Sequence, residues 1–230
     1  ALQKDASAIV VRADSDIDRP AQLDDKLFAS YNARFENDIV RQLIKNDGGQ
    51  GKIRISSPEY LEMWRTVAEN SADATWVFLP WEGPKAKLEQ NLSFRAFSLG
   101  DYGIPYGYSP FLITHADFVT AEADAIRAFL RAAEKGWRYV AENQDESREL
   151  LHQHLNHADW RNPTMIQESL RMLAPYVLSG EGRWGFMDGT RWLNFVEWMI
   201  ETKVLKDVEG VPMNIGQIDT SMLYTNDFFK

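Results

Sequence analysis

The sequence predicts an α/β protein built on a mostly parallel sheet. Three observations carry that reading. The first half alternates short apolar runs with helical patterns in the order strand, helix, strand, helix, strand; residues 74–79 are apolar on consecutive positions, as in a strand covered on both faces; and beyond residue 99 the patterns turn almost wholly helical. With 230 residues, 44% of them hydrophobic, the chain is long enough for one large or two small domains with a sizeable core.

The elements follow in order. Residues 7–11 form a β-branched run, and residues 27–30 a second strand between Asp24–Asp25–Lys26 and the polar loop Tyr31–Asn32–Ala33–Arg34. Phe35, Ile39, Val40, Leu43 and Ile44 recur on one helical face, which Asp47–Gly48–Gly49 stops. Residues 52–55 make a third strand. Ser57 before Pro58 starts a helix whose apolar side is Tyr60, Leu61, Trp64 and Val67. A fourth strand over 74–79 ends at Pro80, which turns Trp81 and Glu82 outward. After residues 92–99 and a Gly/Pro/Tyr segment over 101–110 comes one apolar run, 111–114.

Thr120 then caps a long helix carrying Ile126, Phe129, Leu130, Ala133, Trp137 and Val140 on one face. Asn143, with Glu146 three residues on, has the capping-box arrangement. Asn162 and Pro163 open a helix bearing Ile166, Leu170 and Leu173, and Asp188 opens the last, with Trp192, Phe195, Val196 and Met199 inward. Helices this apolar need a sheet or other helices to cover them, yet the second half offers about one strand. The chain opens on Ala1 rather than Met and enters a strand within a few residues, so further sequence upstream, or a second chain, is expected to supply the cover.

Composition narrows the chemistry. Cysteine is absent, which removes disulfides, thiolate metal sites, iron–sulfur clusters and a cysteine nucleophile. A net charge of −9 without a basic stripe argues against a nucleic-acid partner. The most apolar stretch, 74–81, is far short of the ~20 residues of a membrane span, so no direct span is expected. His152, His154 and His157 do not share one helical face and lack a zinc-protease pattern, so no metal is expected there. No nucleophile elbow, Walker loop or dinucleotide fingerprint occurs, and no catalytic residue is assigned.

What remains is a set of aromatic and polar residues at strand ends and in loops. Ser30, Tyr31, Asn32 and Arg34 lie between a strand and a helix, where backbone N–H groups and the helix dipole face a sheet end. Trp76, Trp81 and Glu82 stand at and just after the fourth strand, and Tyr102, Tyr106 and Tyr108 in the Gly/Pro segment. Rings joined by a few hydrogen-bonding groups suit a planar heterocycle, each ring pair adding ~0.5–1.5 kcal/mol beyond area burial. Core packing of Trp76 and Tyr102 is the alternative.

Five segments carry a resemblance: 26–36 (KLFASYNARFE), 47–49 (DGG), 72–75 (ADAT), 101–105 (DYGIP) and 168–175 (ESLRMLAP). In order and spacing the chain resembles the periplasmic binding proteins for thiamine pyrimidine precursors (formylaminopyrimidine), a superfamily that also holds riboflavin- and sulfonate-binding proteins and the fungal thiamine pyrimidine synthase. The resemblance implies a type II, two-lobed binding-protein fold whose first lobe lacks its N-terminal βα units. Residues 13–98 would form one complete lobe, and 1–12 with 99–230 the hinge strands and C-terminal helices of the other. It implies a solute-binding protein of an ABC importer, without cofactor, whose partners are a small heterocycle (an aminopyrimidine or riboflavin) and a permease. Its place would be periplasmic, or extracytoplasmic on a membrane anchor. The alternative is an enzyme-like protein of thiamine pyrimidine biosynthesis, which would be cytoplasmic. The family's return segment ends in Glu where this chain has Ser109, leaving Glu82 as a substitute carboxylate; the synthase's cysteine-rich motif has no counterpart, which disfavours an enzyme.

Overall fold

The computed structural model describes residues 1–33, 35–59, 62–179 and 181–229. They fall into two compact units, Ser7–Tyr106 with Leu193–Ile218, and Ala1–Ala6 with Gly107–Trp192 and Asp219–Lys230. These bounds differ from the 13–98 lobe of the sequence reading because residues 7–12 lie inside a sheet rather than beside it, and a C-terminal segment belongs to the same unit.

That sheet has five strands, β1 (Ser7–Arg12), β2 (Leu27–Ala29), β3 (Arg54–Ser56), β4 (Ala74–Phe78) and β5 (Phe94–Phe97), in the order β3-β2-β4-β1-β5. β2 is parallel to β3 and β4, while β1 runs antiparallel to β4 and β5, with Ile9 opposite Trp76 and Phe97. Burial of β1 is continuous from Ser7 to Val11, as a strand covered on both faces requires. Its side chains alternate. Ile9 and Val11 join Phe28, Ile39, Val40, Leu43, Ile44 and Leu99 on one face, and Ala8 and Val10 join Trp64, Val77 and Ala86 on the other.

Helix α1 (Glu36–Asn46) buries the four aliphatic residues its spacing predicts. Its end is made by Gly48 at φ +92° and the Gly49 N–H, which donates to the Ile44 carbonyl at 2.9 Å. Helix α2 (Trp64–Ala68) starts well after Pro58; the chain runs beside β2 as far as Ser56, whose carbonyl accepts the Ser30 N–H at 2.8 Å. Tyr60 and Leu61, expected on its apolar side, lie outside the described residues. Pro80 does not leave an outward loop after β4: helix α3 (Leu79–Gln90) begins at once, with Pro80 in its first turn.

The other unit is helical: α4 (Ala116–Ala121), α5 (Ala123–Glu142), α6 (Gln144–His154), α7 (Pro163–Val177) and the first turn of α8 (Gly189–Glu201). Thr120 sits inside α4, and Glu122 precedes α5. The predicted face of α5 is only half-buried, and Phe129 is 58% exposed. Asn143 stands at the N-cap of α6 as expected, but its side chain makes no cap bond; its Nδ2 donates to the Tyr139 carbonyl at 3.1 Å, and Glu146 bonds the Tyr139 hydroxyl, so Tyr139 takes both partners of the expected box. Asn162 does cap α7, accepting the N–H groups of Thr164 and Met165 at 3.0 and 3.4 Å, with Pro163 in the first turn. Residues 111–114 form no strand, and Ile113 is 87% exposed.

Candidate functional site

The loop between β2 and α1 begins at Ser30, which is fully buried at the end of a strand with two hydrophobic faces. A buried hydroxyl needs a partner. Ser30 Oγ donates to Glu36 Oε2 at 2.9 Å and accepts the Asn32 N–H at 2.8 Å. Asn32 takes φ +57°, the left-handed conformation that asparagine tolerates, and so turns the chain into the helix. Glu36, the first residue of α1, is itself buried and accepts the N–H groups of Tyr31 at 3.3 Å and Ala33 at 3.2 Å. The amides expected to face a ligand are thus directed onto the chain's own carboxylate. Burial pushes the Glu36 pKa up, and the bonds from Ser30 and the loop amides pull against it. Arg34 lies outside the described residues.

The Tyr31 ring stays 39% exposed, and its hydroxyl reaches Glu82 Oε1 at 3.5 Å. Glu82 is not outward. It is 8% exposed in the first turn of α3 and accepts the Phe78 N–H at 2.6 Å. Removal from water pushes its pKa up from 4.5 to about 7, against the pull of the Phe78 N–H and the Tyr31 hydroxyl. The Tyr31 hydroxyl is pushed far above its ordinary value by burial and by the neighbouring Glu82. Trp81, one residue earlier on α3, is half-buried.

Trp76 and Tyr106 meet edge to face at 5.6 Å and 68°, and Tyr106 stands at 5.1 Å and 88° on Phe195 of α8, which stacks on Trp198 at 6.0 Å. Of these rings, Phe195 was expected only as an inward residue of the last helix, and Trp198 was not singled out in the sequence. The signal for them was the i, i+3 spacing of aromatics on α8. Tyr102 packs on Phe97 at 6.3 Å, and its carbonyl accepts the Asn46 side chain at 2.7 Å. Tyr108 belongs to the helical unit, where its hydroxyl accepts the Asp188 N–H at 2.8 Å and its ring lies 6.4 Å from Trp192. Within the sheet unit the predicted residues therefore form a Ser30–Tyr31–Glu82 group, a Trp76–Tyr106 group and Tyr102 on the core.

Elsewhere in that unit Asp38 and Lys206, 3.7 Å apart, line a cleft of about 410 Å³ with Phe35 and Val204. His152 Nδ1 lies 3.0 Å from the Trp160 carbonyl, and His157 Nδ1 accepts the Asp159 N–H at 3.4 Å. Among the described residues no group of three His, Asp or Glu could hold a metal ion.

A family model described as NMT1/THI5 like matches residues 1–147, well over half of the chain. The chain belongs to the NMT1/THI5-like family. A curated relative of this NMT1/THI5-like chain, the formylaminopyrimidine-binding protein of Halalkalibacterium halodurans, is 26% identical over 197 residues, 83% of this chain. The match spans 58% of that relative's own length. Among solved structures, the alkanesulfonate-binding protein SsuA of Xanthomonas axonopodis pv. citri bound to MOPS aligns with TM-score 0.62 at 15% identity, over 91% of this chain and 68% of its own. The ligand-binding component of an ABC-type import system from Staphylococcus aureus aligns with TM-score 0.58 at 15% identity, over 92% and 69%. The NMT1/THI5-like chain therefore has the α/β fold of the periplasmic solute-binding proteins.

Proposed function

We propose that this protein is the solute-binding component of an ABC importer and takes a planar heterocycle, a thiamine pyrimidine precursor before riboflavin, at Tyr31, Trp81 and Glu82. The observation that carries the reading is the Tyr31–Glu82 pair: a part-exposed ring beside a buried carboxyl that titrates near pH 7. A ring of that kind stacks on a heterocycle. A carboxyl able to hold or release its proton at neutral pH both donates to a ring nitrogen and accepts from an exocyclic amine, the two groups an aminopyrimidine presents side by side. The name of the curated relative supports the pyrimidine over other solutes. Membership of a binding-protein fold supports the partnership with a permease and an extracytoplasmic place, and no helix among the described residues is long and apolar enough to cross a membrane.

Isothermal calorimetry of the purified protein with formylaminopyrimidine, riboflavin and an alkanesulfonate tests this. Heat with the pyrimidine in preference to the others is expected. No heat with any of the three refutes the reading.

A further inference from the structure

The loop that follows β2 leads into an eleven-residue helix and has the makings of an anion site, yet its N–H groups at Tyr31, Asn32 and Ala33 are already engaged. Glu36 takes the Ser30 hydroxyl and the N–H groups of Tyr31 and Ala33, and it is buried where it does so. A second buried carboxyl, Glu82, stands at the far end of the same tyrosine. Tyr31 is thereby held between two acids, one on its N–H and one on its hydroxyl. Among the described residues, Lys85 is the cation whose charge acts on Glu82, and its ammonium also makes an ion pair with Glu62.

We propose that Glu36 and Glu82 set the charge selectivity of this site, so that it accepts neutral or cationic heterocycles and rejects sulfonated or phosphorylated ones. The inference rests on the solute-binding reading above and deepens it. An anionic group brought to the loop finds no free donor on Tyr31 or Ala33 and meets a carboxylate at close range, where repulsion is only weakly screened. To bind there it would have to displace Glu36 from three hydrogen bonds and leave that carboxylate buried without partners. The same fold binds a sulfonate in the Xanthomonas protein, so the discrimination belongs to these side chains and not to the fold.

The test compares 4-amino-5-hydroxymethylpyrimidine, its phosphate ester and MOPS on the wild-type protein, Glu36→Ala and Glu36→Gln, by calorimetry and by thermal shift. Wild type is expected to bind the ester at least tenfold more weakly than the free pyrimidine and to gain no thermal stability from MOPS. Glu36→Ala, which empties the loop, should shrink the ester penalty at least tenfold and gain stability in MOPS. Glu36→Gln keeps the size without the charge and should shrink the penalty at least threefold. Wild type binding the ester or MOPS as well as the neutral pyrimidine overturns the proposal, as does undiminished discrimination in a folded Glu36→Gln. Should wild type bind neither pyrimidine, the solute reading fails while the charge argument is still decided by MOPS: stabilisation of the Glu36 variants alone supports it, and stabilisation of none or of all overturns it.

Discussion

Glu82→Gln should stabilise the protein at alkaline pH and leave it nearly unchanged in acid. Glu82 is nine-tenths buried, and folding moves its pKa from the ordinary 4.5 to about 7. That shift corresponds to roughly 3 kcal/mol between the protonated and ionised forms, an upper bound for what the charge costs the folded state. The sign follows from proton counts. Between pH 4.5 and 7 the folded protein holds a proton on Glu82 that the unfolded chain has released, so this residue's contribution is full below pH 4.5 and is lost as the pH rises through 7. Glutamine keeps the geometry: its carbonyl can accept the Phe78 N–H, and its amide can donate to the Tyr31 oxygen. Other titrating groups cancel in the difference between the two proteins. Urea unfolding followed by tryptophan fluorescence should therefore show the variant about 2–3 kcal/mol the more stable at pH 8 and level with wild type at pH 4.5. A gap that does not change with pH, or a wild type that is the more stable at pH 8, would refute the assignment of a buried, reluctantly ionised Glu82.

Tyr31→Ala and Trp81→Ala should each weaken pyrimidine binding by ~1–3 kcal/mol with little loss of stability, read by fluorescence titration and melting; unchanged affinity in both would move the site elsewhere. Asn162→Ala removes the cap that accepts two amides of α7 and should cost about 1 kcal/mol, visible as a lower melting point of the helical unit, while no shift would show the cap to be replaceable by water. Gly49→Ala would place a methyl 2.5 Å from Ile44 Cγ2 and 2.8 Å from an Asp24 carboxylate oxygen, at the close of α1. A loss of ~1–3 kcal/mol in urea is expected, and a neutral result would mean that the α1 turn yields to the added carbon.

The strands and the apolar helix faces were legible because each is written locally. Residues 8–11 and 76–79 are continuously apolar, and such a run is the pattern of a strand covered on both sides. The direction in which β1 pairs is not local. Its antiparallel place between β4 and β5 depends on where the chain enters the sheet, and nothing in Ser7–Arg12 records that. Two helix starts moved: α2 begins at Trp64 and not at Ser57–Pro58, and Thr120 lies inside α4. Asn143 does stand at the start of α6, but a side-chain cap forms only where the side chain is not claimed first, and Tyr139 takes both partners of the Asn143 box. Asn162 had no such competitor, and it caps as its sequence implies.

The candidate site shows the same competition for polar partners. Ser30 to Arg34 has the residues of a loop that offers its amides to a ligand, and a polar loop before a helix reads identically whether those amides are open or already bonded. The residue that separates the two cases is Glu36. It stands in the helical pattern as an ordinary first-turn acid, favourable to the dipole and otherwise silent. A stricter polar accounting would have found it: Ser30 follows the buried strand β2, its hydroxyl must be satisfied, and the nearest acid with helical reach back over the loop is Glu36. Glu82 carries the converse lesson. Pro80 in the first turn of α3 folds the acid back over the end of β4, where it gains the Phe78 N–H and loses most of its water. Both acids thus come to the loop by the local geometry of helix starts, and what the loop presents is a tyrosine ring between two buried carboxyl groups in place of a ring of free amides.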